Sequence, residues 1–378
     1  MRSRSSPTKR LLIVGALVTL SVQAFGKITA KPDELAREWG MPLERNLDRL
    51  PEEGVLEEKN FPWAEARFPF AEGAILNRYQ REDLPTEERY TKRALTLDEI
   101  KALSPTHRTE VLSKLAPAEI FDLVRSLTAT YPLTNEIRRL MTKAGAPGHA
   151  SGYADLDEKM SFGWAAAATM MAEPAQRTDY TVRFPEGTEA KLSIGSADVK
   201  GLAAYYYGVK VPKLVKIAKV GSRCHGDSDV NCRRIDPAAF HLLLTNMIKR
   251  EGKSFIVDVD PSGAVDYRPI VGYAAGVRAD NEGAGYVVTT TVRYAKRRAP
   301  SAKPYGFFNL DSDTETYRYR IETNEKREIV RGQWLSAHHP EFAWRVLDLP
   351  HVDHEGFGAL KDLYREAPLL SSRALSMF

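Results

Sequence analysis

An α+β fold is predicted for this chain, and three observations predict it. Apolar residues at helical spacing dominate up to about residue 250, and strand-like runs take over from residue 254. The composition, 43% hydrophobic and 28% charged over 378 residues, supports a real core and argues against disorder.

Taken in order, the first segment reads as a secretory signal over residues 1–24. Arg2, Arg4, Lys9 and Arg10 form a basic head, Leu11 to Val22 is apolar, and Val22-Gln23-Ala24 offers a cleavage site. That apolar run is about a dozen residues, whereas a spanning helix needs about 20. The expectation is export to the periplasm or beyond, with no membrane segment after cleavage. The formal charge of +4 lies partly in the signal, and no basic helix or aromatic–glycine motif suggests nucleic-acid binding.

Residues 25–145 read as a mainly helical region. Thr96 caps a short helix beginning at Leu97, and Pro117 to Leu127 carries Ile120, Phe121, Val124 and Leu127 at helical spacing. Phe61-Pro62-Trp63 through Phe68-Pro69-Phe70 reads as an extended aromatic strap that needs a surface to bury it. Ala144 to Gly148 marks a boundary, and residues 146–378 form the second region. There, helices are expected over Phe162–Met171, over Asp198–Tyr207 and, with Asp236 as cap and Pro237 at the first helical position, to about Arg250. Strands are expected over Ser254–Val259, Ile270–Val277, Tyr286–Tyr294, Thr316–Ile321 and Glu328–Arg331.

Three residues are candidates for chemistry. Ser161 stands where the first of those helices is expected to begin. It is either an N-cap or a nucleophile whose oxyanion the helix N-terminus would stabilise. Asp198, in the first turn of the next helix, complements the dipole or orients a base. His241 shares an apolar face with Leu244 and Ile248, as a core histidine or as a general base. Cys224 and Cys232, eight residues apart, read as a disulfide in an oxidising compartment, with a metal site including His225 as the alternative. Asp227-x-Asp229-x-Asn231 opens like a calcium loop but is followed by Cys232, and Ala238 stands where a bidentate glutamate belongs. Asp311, Asp313 and Glu315 read as a solvated turn; His351 and His354 with Asp353 could bind a metal, with a surface loop as the plainer reading.

Several segments occur in one order: Pro62-Trp63 with Gly73-Ala74-Ile75; Gly163-Trp164-Ala165-Ala166 with Glu173-Pro174; Ala197 to Lys200 with Tyr205-Tyr206-Tyr207; Gly221 to Cys224; Asp236 to His241 with Leu244-Thr245-Asn246; and Gly332-Gln333-Trp334 with His339 to Trp344. In that order they resemble the transglutaminase elicitor family of secreted acyltransferases. Val265 to Tyr273 resembles the segment that is a surface elicitor peptide in oomycete members. The resemblance implies a cysteine-protease/transglutaminase-like core of helices and antiparallel sheet. It implies protein-glutamine γ-glutamyltransfer between glutamine- and lysine-bearing proteins, with Ser161 as nucleophile, His241 as base and Asp198 orienting it. It also leaves an unspecified Ca2+ site open, since some transglutaminases need calcium. One departure is marked: Ser161 stands where the family has its nucleophilic cysteine, and Phe162 where a histidine often follows. A hydroxyl is far less acidic than a thiol. Loss of acyl transfer, leaving a binding module, and hydrolysis by a serine amidase or peptidase are therefore the alternatives.

Overall fold

The computed structural model describes residues 32–125, 130–146, 152–174, 178–183, 187, 189–222, 234–259, 265–280, 285–304, 312–351 and 357–366. Residues 1–24, expected to be a signal, Cys224 and Cys232 with His225, and residues 227–231 lie outside the described residues.

The fold is α+β, as the sequence predicts. The N-terminal region begins with helix α1 (Pro32–Trp39), strand β1 (Glu53–Val55) and the short strand β2 (Glu65–Ala66). Five helices follow: α2 (Glu88–Thr91), α3 (Leu97–Ala102), α4 (Pro105–Leu112), α5 (Pro117–Arg125) and α6 (Pro132–Ala144). The start of α3 shows its cap directly. Thr96 Oγ1 accepts from the Glu99 N–H at 3.3 Å, and the Glu99 carboxylate accepts from the Thr96 N–H at 2.8 Å.

The second region opens with the 17-residue helix α7 (Ala154–Met170), then the hairpin β3 (Thr178–Arg183) and β4 (Glu189–Ile194), and α8 (Ser196–Tyr205). Strand β5 (Lys216–Gly221) and helix α9 (Pro237–Leu243) follow. Both α8 and α9 relax into π-helical stretches, Tyr206–Lys210 and Leu244–Arg250. The remaining strands are β6 (Ile256–Asp258), β7 (Tyr267–Ala279), β8 (Tyr286–Tyr294), β9 (Arg297–Arg298), β10 (Asp313–Thr323), β11 (Ile329–Trp334) and β12 (Phe342–Asp348), before a last helix α10 (Gly358–Glu366).

The main sheet is antiparallel, in the order β11-β10-β8-β7-β6-β12-β5. Strand β1 from the N-terminal region adds to β7 beside β6. Alternation along the strands sends side chains into two cores. Ile256, Val271 and Trp344 join α3 to α8 and α10 on one face; Val257, Ile270 and Ala343 join α1 and α9 on the other.

Two glycines set the helical layer. A Cβ on Gly163 would overlap the Ala204 carbonyl, and one on Gly208 would overlap the Lys159 carbonyl. α7 and the α8 stretch therefore run antiparallel in backbone contact. The aromatic strap closes over them: Trp63, Phe68 and Phe70 belong to this core, and Trp164 Nε1 donates to the Trp63 carbonyl at 3.1 Å.

Candidate functional site

Helix α7 carries Ser161, but not at its start. The helix begins at Ala154, so Ser161 is its eighth residue and is buried. Only the first turn of a helix has unpaired N–H groups. The expected N-cap position, and the oxyanion site built on it, are corrected accordingly. The polar run Asp155 to Lys159, ahead of the expected helix over Phe162–Met171, supplies the first turns, with Asp155 and Asp157 at the positive end of the dipole.

What faces Ser161 comes from a pairing that sequence reasoning missed. β2 and β9 pair in parallel with Glu65 opposite Arg297. The Arg297 guanidinium donates from Nη2 to Ser161 Oγ at 3.0 Å, meets Asp266 Oδ1 at 2.9 Å, and lies 3.0 Å from Glu65 Oε2 through Nε. Burial pushes the Glu65 carboxyl up, against the pull of Arg297. Asp266 is also held by Arg268 at 2.8 Å, and Arg268 reaches Asp313 at 3.3 Å. Beside Ser161, Phe162 stacks on Trp344 at 4.9 Å and meets the Tyr267 edge at 6.1 Å.

His241 lies elsewhere. Its Nδ1 is 2.8 Å from Tyr319 Oη, in the core beneath α9 on the opposite face of the sheet from Trp344. Burial pushes its pKa down to about 4, so the ring is neutral. Asp198 is fully buried and accepts from the Gly195 N–H at 2.6 Å, at the entry to its own helix. It lies six residues, about 9 Å of helix rise, before the Ala204 crossing point. The structure does not bring Ser161, His241 and Asp198 together. Proton transfer needs heavy atoms about 3 Å apart, and a sheet separates the serine from the imidazole.

The arrangement around Ser161 has definite chemical limits. A guanidinium has five donors, no acceptor and a pKa above 12. It can hold the serine oxygen or a developing negative charge, but it cannot take the hydroxyl proton. The groups in this cluster able to accept a proton are the Glu65 and Asp266 carboxylates, both engaged by Arg297.

Among the described residues no group of three or more His, Cys, Asp and Glu side chains is gathered as a metal ion requires. Asp313 and Glu315, expected in a solvated turn, lie instead on strand β10, where Asp313 is ion-paired and Glu315 accepts from Tyr317 Oη. Asp311, Asp353 and His354 lie outside the described residues, while the His351 carbonyl accepts from Tyr206 Oη at 2.7 Å. No helix of the described residues is long and apolar enough to cross a membrane. The segment that resembles the elicitor peptide is buried for most of its length: Tyr267, Ile270, Val271 and Tyr273 all lie inside, on central strand β7.

A family model described as transglutaminase elicitor matches residues 33–285. The crystal structure of the GP42 transglutaminase from Phytophthora sojae has a similar fold, with a TM-score of 0.51 and 15% identity, over 88% of this chain and 96% of that one. No curated protein matches the chain in sequence.

Proposed function

The chain belongs to the transglutaminase elicitor family, and we propose that it is an exported transglutaminase-like protein that engages protein substrates without completing acyl transfer. The carrying observation is the 3.0 Å contact in which Ser161 Oγ accepts from Arg297. A serine nucleophile needs a base to remove its proton, and this partner has no acceptor to offer. The signal-like residues 1–24 support export.

The second reading is acyl transfer by Ser161, forming an isopeptide between a glutamine donor and a lysine acceptor. Glu65 favours it, because a buried carboxyl with a raised pKa is a natural general base. Incorporation of a labelled amine into glutamine peptides separates the two. The expected result is no incorporation by the wild type and a gain in Ser161→Cys. Incorporation by the wild type that Ser161→Ala abolishes would replace this proposal with the enzyme.

A further inference from the structure

Among the described residues, the helical layer covers one face of the sheet over β12, β6 and the start of β7, and leaves that face open over the rest of β7, β8 and β10, where Ala274, Gly276, Thr316 and Arg318 are exposed. Tyr273, Val288, Val292, Tyr317 and Tyr319 point the other way, into the core under α9. Their neighbours along each strand therefore point outward. The register sets Gly276 and Arg318 on either side of Thr289, and Ala274 and Thr316 on either side of Thr291. Arg278 and Arg293 stand at the two ends of this floor.

Three features mark the face as a site. Arg278, Arg293 and Arg318 are exposed, and none makes a side-chain hydrogen bond or ion pair among the described residues. By contrast, Arg320 and Arg331 beside them are neutralised by Asp280 and Glu322. Second, the floor between the three guanidiniums is small and hydroxyl-bearing, and Thr291 Oγ1 lies 3.0 Å from Thr316 Oγ1. Third, Gly276 has no reason within the fold to be glycine. Its φ is not positive, and an added Cβ would meet nothing within 4 Å. What it provides is open space over β7.

The chemistry of a partner follows. Guanidiniums bind oxyanions such as carboxylates and phosphates bidentately, and a sulfate presents the same oxygen geometry. The centre of this floor, Gly276, Ala274 and threonines, carries no aromatic or long aliphatic anchor for a protein partner; Val287 beside Arg278, and Val55 and the exposed Glu53 on β1 opposite Gly272 and Ala274, lie at its margins. A polyhydroxylated, regularly charged chain fits. We propose that the open face of β7, β8 and β10 binds an acidic polysaccharide, with Arg278, Arg293 and Arg318 holding its charged groups and the threonine hydroxyls its sugar oxygens.

The test is affinity electrophoresis of the full chain through gels containing polygalacturonate, heparin or neutral dextran, at fixed salt. Retardation by polygalacturonate or heparin and none by dextran is expected. Arg278→Ser/Arg293→Ser/Arg318→Ser should weaken binding at least tenfold. Gly276→Leu, which adds volume where nothing is touched, should weaken it at least threefold with an unchanged melting temperature, and serves if the triple variant folds poorly. A charge-matched control, Lys59→Ser/Lys92→Ser/Lys213→Ser, should bind within twofold of wild type. The proposal is overturned if neither acidic polymer binds, if Gly276→Leu binds as wild type does, or if the control loses as much as the arginine variant. It is also overturned if polyglutamate or duplex DNA binds as tightly, since the face would then be a general polyanion or protein surface.

Discussion

Arg297 sets the immediate surroundings of the residue 161 side chain. A guanidinium 3.0 Å from the residue 161 side chain is inert towards a hydroxyl but potent towards a thiol. Thiol pKa values fall well below about 8.5 when a fixed cation lies alongside. In Ser161→Cys, iodoacetamide alkylation should therefore follow a pH profile with its midpoint below about 8, and adding Arg297→Met should return it to about 8.5 or higher. Identical profiles for the two variants would mean that Arg297 does not govern this position. Other residues of the family pattern have structural duties. Lys200, buried, is ion-paired with Glu173 and sits 5.4 Å from the centre of the Trp63 ring. Asn246 accepts from the Glu44 N–H at 2.8 Å and donates to its carbonyl at 3.0 Å, pinning the N-terminal region to the core. Ser161 was legible in the sequence because motifs flank it. Arg297 and Glu65 were not, because only the β2–β9 pairing, between segments far apart in the chain, sets them opposite each other.

At the scale of elements, helix α9 carries two buried groups whose titrations oppose each other. Asp236 caps it, accepting from the Ala238 N–H at 2.6 Å, and burial raises its carboxyl from 3.8 to about 6. A raised carboxyl pKa means that the folded state holds the proton more tightly, so the stability it lends is present below pH 3.8 and lost as pH rises through 6. For His241 the folded value is lowered from 6.5 to about 4, so its contribution is present above pH 6.5 and lost as pH falls through 4. Each corresponds to about 3 kcal/mol, and the windows nearly coincide. In urea unfolding between pH 4 and 6.5, Asp236→Asn should become more stable relative to wild type as pH rises, by about 3 kcal/mol. His241→Gln should drift the opposite way by a similar amount. Parallel pH curves for all three proteins would contradict the assignment. The helical crossing makes a second test at this scale. Gly163→Ala should cost about 3 kcal/mol, since its Cβ has only backbone to displace, while Gly276→Ala should cost less than about 1. Elements with strong local signals were readable: β8 is found over Tyr286–Tyr294, and the Asp236-Pro237 start of α9 is as expected. Strands β5 and β12 were not read. Lys216, Lys219 and Arg345 interrupt their apolar pattern, and their pairing with each other spans most of the second region.

On the scale of the whole molecule, the N-terminal region is a working part of the core. Strand β1 extends the central sheet, with Tyr273 Oη donating to the Pro51 carbonyl at 2.9 Å. The Phe70 N–H donates to Asp157 on α7 at 2.8 Å, and Arg345 on β12 donates to the Trp39 carbonyl at the end of α1. The strap also delivers Glu65 to the Ser161 cluster, so the candidate site is incomplete without residues that precede the boundary near Gly145. The sequence showed the strap as aromatic and proline-rich and demanded a surface for it. It did not show which surface, because backbone contact between α7 and the α8 stretch first has to build one. Two consequences can be measured. Trp63→Ala should cost about 3–5 kcal/mol through the cavity it leaves, and it also loosens the backbone that Trp164 Nε1 holds. Limited proteolysis near Gly145 should give two fragments that stay associated on a sizing column and unfold in one cooperative transition. Each fragment exposes one half of a shared core, so neither should refold alone. Release of an independently folded fragment spanning residues 25–145, or two separate melting transitions in the intact chain, would show instead that the strap rests on the core without being part of it.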